Sequence, residues 1–297
     1  AGSYFTQCLR DNMSAVQSKY ILVDGVRTHY LEVGAGPSLV LLHAGEFGGC
    51  AEISWEFNIE ALAKHFRVLA PDMVGFGRTE KLRDFGSHGA RMIEHVTRFL
   101  ETMCIDEADF IGNSVSGRFL CRVASRSKPD WPIRKMICVS GGGFEPDNEE
   151  RRILQDYDAS RESMKKILRV LFHDPKWAED EAYLERRYQL SILPGAWEVA
   201  AASRFKSPIV PERPLFGRPD RTVYEDITVP TLFVAGDKDP LLVENYWEDL
   251  ARRTPRGESS VFAGTGHCPH IERAGAFNKV ALDFLLRADG SDAAADR

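Results

Sequence analysis

The sequence predicts an α/β protein: a mostly parallel central sheet, helices on both faces, and an all-helical block inserted between two strands. Three observations predict it. Short continuous apolar runs, at Ser38–Leu42, 108–111 and 231–235, have the composition of strands buried on both faces. Segments with helical apolar spacing alternate with them, as in Met92, Val96, Phe99, Leu100 and Met103. From about Phe144 to Glu225 the alternation stops, and only helical patterns remain.

Residues 20–23 and Val26–Val33 flank Asp24-Gly25, a two-residue turn signal, and read as an opening hairpin. Ser38–Leu42 runs into the loop His43-Ala44-Gly45-Glu46-Phe47-Gly48-Gly49. Residues 55–65 have a helical pattern through Phe57, Ile59, Leu62 and Ala63, and 67–70 form a buried strand closed by Pro71-Asp72. Residues 90–103 are an amphipathic helix, and 108–111 a strand. Ser116-Gly117 then opens a helix that reaches Ala124, and strand 135–139 ends in Ser140-Gly141-Gly142-Gly143.

In the inserted block, Met164, Ile167, Leu168 and Leu171 mark one helix, 182–190 a second and 196–205 a third. Pro208, Pro211, Pro214 and Pro219 then exclude regular helix. Residues 231–235 return to the sheet. Leu242, Val243, Tyr246, Trp247 and Leu250 make a helix, 259–262 the last strand, and Phe277, Val280, Ala281, Phe284 and Leu285 the closing helix. The core therefore spans 19–143 and 226–288, and 144–225 is a lid inserted into it. Residues 1–18 are an N-terminal extension, and the polar tail 289–297 is expected to be disordered.

Composition narrows the function. The chain has 297 residues, 43% hydrophobic and 28% charged, with a net charge of −6. That much apolar content excludes a disordered polymer. No run of about 18 apolar residues suggests a membrane span. The acidic balance disfavours nucleic acid; the expected partner is a small-molecule substrate, on the chemistry set out below. Six widely spaced cysteines without a C-x-x-C pair read as free thiols. The first twelve residues lack a signal-peptide pattern, so a cytoplasmic location is expected, where the sequon Asn12-Met13-Ser14 would go unused.

The strongest chemical signal is Gly112-Asn113-Ser114-Val115-Ser116, set between a buried strand and a helix. A nucleophile on so tight a turn needs small residues two positions either side, which Gly112 and Ser116 supply. Gly117 lets the helix approach the strand. The turn places the Ser114 hydroxyl at a helix N-terminus, where developing negative charge is favoured. The plainer alternative is that Ser114 only caps the helix. A serine needs a base, and His267 lies in the loop Gly264-Thr265-Gly266-His267 after the last strand; His270 is its neighbour and rival. The base needs a carboxylate, and Gly236-Asp237-Lys238-Asp239-Pro240 ends a strand. Asp239 is the first choice, and Asp237 reads as a turn former. The N–H groups of Val115 and Gly45 would form the oxyanion hole. His267-Cys268-Pro269-His270 has no matching second ligand cluster, so no metal is expected, and the chemistry calls for no cofactor.

From Tyr20 to Leu286 the chain resembles the α/β-hydrolase superfamily. His43-Ala44-Gly45, Asp72-Met73-Val74-Gly75-Phe76-Gly77-Arg78-Thr79, the Ser114 elbow, Gly236 with Asp239, and Gly266-His267 carry the resemblance. The chain order Ser114, Asp239, His267 is the order of that family's triad. Within it the chain is most similar to meta-cleavage-product hydrolases, which break a C–C bond in 2-hydroxy-6-oxo-dienoates during aromatic degradation. Asn113 in the elbow, Glu185-Arg186-Arg187-Tyr188 in the lid, and the run from Ile271-Glu272 through Phe277-Asn278 to Leu285 carry this narrower resemblance.

The resemblance implies that Arg187 binds the dienoate carboxylate and that Asn113, Ser54 and Cys268 line the substrate site. An Arg187 on a solvated, charged helix face is the alternative. Some residues depart from the family pattern: Ala44, Glu46 and Phe47 in the oxyanion loop, Ser54 in place of an asparagine, Cys268 in place of a tryptophan, and Ser116 in place of a glycine. A carboxylesterase or lactonase on the same triad is a second expectation. A third is a slow signalling hydrolase or ligand receptor, which Ser114-Val115-Ser116 and Gly266-His267-Cys268-Pro269-His270 also resemble. Fold analogy suggests a homodimer.

Overall fold

The computed structural model describes residues 15–205 and 216–288. Cys8, the sequon at Asn12, Pro208, Pro211, Pro214 and the 289–297 tail lie outside the described residues. Among the described residues eight strands form one sheet: β1 (Gln17–Val23), β2 (Val26–Val33), β3 (Ser38–Leu42), β4 (Arg67–Pro71), β5 (Ala108–Asn113), β6 (Ile133–Val139), β7 (Thr231–Gly236) and β8 (Gly257–Phe262). Their spatial order is β1-β2-β4-β3-β5-β6-β7-β8. The β1–β2 and β2–β4 pairs are antiparallel and the rest are parallel. The opening hairpin turns at Asp24-Gly25 as its sequence predicts, although β1 begins inside the stretch assigned to the N-terminal extension.

The order decides where chemistry can occur. From β3 the chain steps outward to β4, then crosses back to β5 on the other side of β3. The connections after β3 and β5 run in opposite directions there, which makes the carboxyl ends of these two strands the topological switch point of the sheet. Register brings the successive loops side by side. Leu42 pairs with Gly112, Asn113 with Val139, Val139 with Val234, and Gly236 with Phe262.

Both sheet faces are covered. Helices His88–Thr102, Val115–Ala124 and Tyr246–Arg253 bury Val96, Phe99, Leu120 and Trp247 on one face. Helices Ala51–Trp55, Ile59–Leu62 and Ala274–Leu285 bury Trp55, Leu62, Phe277 and Phe284 on the other. Each large apolar side chain buried in this way contributes roughly 1.5–3 kcal/mol. A third apolar cluster belongs to the lid helices. It includes Phe47, Cys50, Ile53, Leu241, Cys268 and Ile271, so the lid is seated on the loops of the site.

Three helices differ from the periodic reading. The segment read as one helix over 55–65 is two, Ala51–Trp55 and Ile59–Leu62. The chain turns between them at Asn58, whose buried Nδ2 donates to the His270 carbonyl at 2.9 Å and to Asn278 Oδ1 at 2.8 Å. Those long-range bonds outweigh local helix continuation. The helix read from Leu242 begins at Tyr246, because Asn245 adopts a left-handed conformation, φ 58°. The third lid helix ends at Ala201 and tightens into a 3₁₀ turn over Ala202–Arg204. The lid also holds two short helices that periodicity misses, Glu149–Gln155 and Lys176–Glu179.

Candidate active site

Strand β5 hands over to helix Val115–Ala124 through Ser114, with φ 56° and ψ −116°. A non-glycine residue with such angles is strained, and the surrounding structure must hold it there. The Ser114 N–H donates to the Val139 carbonyl at 2.8 Å, and Asn113 Nδ2 donates to the same oxygen at 3.2 Å. A Cβ on Gly112 would lie 2.8 Å from the Gly117 nitrogen, and one on Gly141 would lie 2.6 Å from the Ser114 carbonyl. The Ser114 side chain makes no capping hydrogen bond, so a simple helix cap does not account for it.

Asp239 follows β7 and His267 follows β8. His267 Nδ1 meets Asp239 Oδ2 at 2.7 Å, with side chains only 4% and 2% exposed. Asp239 Oδ1 also accepts the Leu241 N–H at 2.9 Å. With Nδ1–H donating to the carboxylate, Nε2 is left as proton acceptor. His270 does not compete. It is buried against Trp55 and Phe277, and burial lowers its pKa to about 3. Asp237 has another task. Its Oδ1 accepts the Gly264 N–H at 2.7 Å and braces the loop that carries His267.

The β3 loop is fixed from several sides. His43 Nδ1 donates to the Ala44 carbonyl at 2.6 Å, and Nε2 accepts the Met73 N–H at 2.9 Å. The Ser116 hydroxyl donates to the His43 carbonyl at 2.5 Å, tying this loop to the elbow helix. Gly45 lies against Val115: a Cβ there would approach Val115 Cγ1 to 3.0 Å. Asp72 holds the far end, accepting the Ala51 N–H at 2.8 Å, the Arg78 N–H at 2.8 Å and His29 Nδ1 at 2.7 Å.

A strained serine on a strand–helix elbow, with a histidine–aspartate pair on the same sheet edge, sets the context for comparison with known proteins. The Alpha/beta hydrolase family matches residues 39–280. This chain belongs to that family. Among curated relatives, it is 31% identical to a 2-hydroxymuconate semialdehyde hydrolase of Pseudomonas sp. strain CF600, over 91% of this chain and 94% of that one. It is 28% identical to a 2-hydroxy-6-oxo-2,4-heptadienoate hydrolase of Pseudomonas putida F1, covering 94% and 99%. A solved meta-cleavage product hydrolase from Pseudomonas fluorescens IP01 superposes with a TM-score of 0.77 at 28% identity, covering 90% and 97%. The resemblance carried by the elbow, the lid and the closing helix is therefore borne out at the level of the whole chain.

The remaining residues of the hydrolase expected at the site fall into different surroundings. Arg187 is buried, not on a solvated face; Arg186 is the surface arginine and pairs with Glu56. Arg187 Nη1 donates to Glu46 Oε1 at 2.8 Å, and the two side chains are 1% and 8% exposed. Burial alone would raise the Glu46 carboxyl, but the Arg187 guanidinium outweighs it and holds the group below the ordinary carboxylate range. Burial also opposes the charge on Arg187, and the facing Glu46 carboxylate favours it. Cys268 is buried in the lid-facing cluster, its thiol pushed well up by burial and by Glu46. Ser54 is buried on the helix Ala51–Trp55. Asn113 spends its amide N–H on the β6 carbonyl. Among the described residues no cluster of three His, Cys, Asp or Glu is arranged to hold a metal ion, and no helix is long and apolar enough to cross a membrane.

Sequence reasoning gave no role to Glu272. It is buried and accepts backbone N–H groups from Gly266, His173 and Asp174. The available signal was an acid just after the histidine loop, in Pro269-His270-Ile271-Glu272.

Proposed function

We propose that this hydrolase cleaves the C–C bond of a 2-hydroxy-6-oxo-dienoate, a meta-cleavage product, with Ser114, His267 and Asp239 as its triad. One observation carries the mechanism: the His267–Asp239 pair at 2.7 Å shares a sheet edge with the strained Ser114 elbow. The curated relatives, each named as a hydrolase of such a compound, support the substrate class.

His267 Nε2 takes the proton of the Ser114 hydroxyl or of a water as the oxygen adds to the ketone carbon. The carbonyl electrons move onto oxygen, where the N–H groups of Val115 and Gly45 receive the charge. The dienol must first ketonise, so that the departing carbon leaves as a stabilised carbanion equivalent. Protonated His267 then returns its proton to that carbon as the carbonyl re-forms and the C–C bond breaks, and Asp239 stabilises the imidazolium throughout. With water as nucleophile the acid product forms directly; with Ser114 an acyl-enzyme remains, and a water deprotonated by His267 adds to its acyl carbon and expels Ser114 Oγ, which takes the proton back. Arg187 holds the carboxylate end of the substrate, while Asn113, Ser54 and Cys268 shape the surroundings. The five cysteines among the described residues are free, which supports a reducing compartment, and the cytoplasm is proposed.

The test is purified Ser114→Ala assayed on 2-hydroxymuconate semialdehyde and on a p-nitrophenyl ester. Activity should fall by about 10³-fold or more on both; unchanged hydrolysis overturns the triad. A second reading, a carboxylesterase or lactonase, is favoured by the Glu46–Arg187 pair, because the lid cation already has a counter-ion. Arg187→Ala separates the two. A loss of about 10²-fold on the anionic dienoate, with little on the neutral ester, supports C–C cleavage; equal effects support the ester reading.

A further inference from the structure

The loop that carries His267 is held from the lid as well as from the sheet. The His267 backbone N–H donates to the Leu171 carbonyl at 2.9 Å. Glu272, 6% exposed, accepts the Gly266 N–H at 2.6 Å, the Asp174 N–H at 2.9 Å and the His173 N–H at 3.3 Å. Gly266 immediately precedes His267, and His173 and Asp174 come just after the lid helix Arg161–Leu171. One carboxylate thus joins the two segments. Their backbones are also in close contact: a Cβ on Gly266 would lie 2.8 Å from both the His173 nitrogen and the Leu171 carbonyl oxygen. None of these groups takes part in the bond between His267 and Asp239.

We infer that Glu272 is a positioning residue for the reaction, clamping lid residues 171–174 to the His267 loop. Placement of the imidazole over Ser114 then depends on the seated lid as much as on Asp239. The inference rests on the reading of His267 as the base. A carboxylate suits the joint because both of its oxygens are acceptors and each faces at least one backbone N–H. Glutamine would turn an NH₂ toward one of them and leave a buried donor unsatisfied.

The experiment uses the full chain with Glu272→Gln. A fluorophosphonate titrates functional Ser114 to completion, and kcat is expressed per titrated site on 2-hydroxymuconate semialdehyde and on p-nitrophenyl acetate. The expected result is a fall in kcat of about tenfold or more, with KM within about twofold, since displacing a reacting group by an ångström suffices for such losses. Amide hydrogen exchange at Gly266, His267, His173 and Asp174 should accelerate together. Glu272→Asp, which keeps the charge, should recover part of kcat. Gly266→Ala, which disturbs the same joint without altering charge, should reproduce the fall. If Glu272→Gln does not fold, those two variants decide the matter by the same readouts. A kcat per titrated site within about twofold of the parent, with only thermal stability lowered, overturns the inference. His267→Ala keeps the two questions apart. If it retains activity, the base assignment fails; if it is inactive while Glu272→Gln turns over normally, only the clamp fails.

Discussion

Glu46 on the β3 loop and Arg187 on the lid helix Glu181–Ser191 form a buried ion pair of 2.8 Å that joins the sheet core to the lid. Only one guanidinium nitrogen serves this bond, and Arg187 Nε has no partner among the described residues. A guanidinium has five N–H donors, and under the proposed function a substrate carboxylate would take up the unused ones. It would do so beside an existing anion. Such a pair contributes little net stability by forming, but removing one partner leaves an uncompensated charge inside.

Glu46→Gln should therefore act on affinity and stability in opposite directions. With the competing anion gone, KM for an anionic dienoate should fall by about threefold to tenfold, while KM for a neutral p-nitrophenyl ester stays constant. Stability should drop by about 3–5 kcal/mol, read from the urea midpoint. Equal KM changes on both substrates would show that Glu46 does not sense substrate charge.

Ser116→Ala should slow the chemistry without touching the triad. The lost hydroxyl leaves the His43 carbonyl without this donor and frees the loop that carries Gly45. The bond is worth about 1 kcal/mol, or roughly fivefold if the whole loss appears in kcat. Steady-state kinetics and a melting curve test this; a lower melting temperature with unchanged kcat would mean that the hydroxyl serves only the fold.

The pH dependence of stability should bear the mark of buried histidines. Burial holds His270 at about 3, and His88 and His95 at about 4, against an ordinary value of 6.5. The unfolded chain binds protons below 6.5 that the folded chain refuses. Their contribution is complete above pH 6.5 and is lost as pH falls from 6.5 toward 4 and, for His270, toward 3. Glu46, held below its ordinary 4.5, adds a loss that sets in as pH falls below about 4.5. His270→Phe should remove about one proton from the slope between pH 6 and 4, about 1.4 kcal/mol per pH unit. Urea titrations at several pH values measure it, and an unaltered slope would show that His270 protonates while folded.

The strands and the elbow were legible because their signals are local. A continuous apolar run predicts β3, β5 and β7, and Gly112, Ser116 and Gly117 predict a tight turn around Ser114. Asp239 and His267 were legible because parallel strands deliver their loops to one edge. Other features depend on partners far away in sequence. The helix break at Asn58 answers to His270 and Asn278, more than 200 residues on. Glu46 meets Arg187 across 141 residues, and Glu272 is matched by backbone N–H groups, which side-chain identity does not encode. The sequence could name Glu46 as a departure but could not say where its charge goes.

The lid leaves the sheet after β6 and returns to β7, two neighbouring strands. Such an insertion looks like a cassette that a protein engineer could lift out and replace to change the substrate. The ties described above limit that freedom. Residues 171–174 bring an obligation to Gly266 and Glu272, and Arg187 brings one to Glu46, all lying outside the insertion. A transplanted lid must arrive with its own docking residues rewritten into two separate segments of the host, the β3 loop and the His267 loop with the short helix Pro269–Glu272 that follows it. The seating of the lid is inherited as a set of matched pairs, and the exchangeable unit is larger than the segment between β6 and β7.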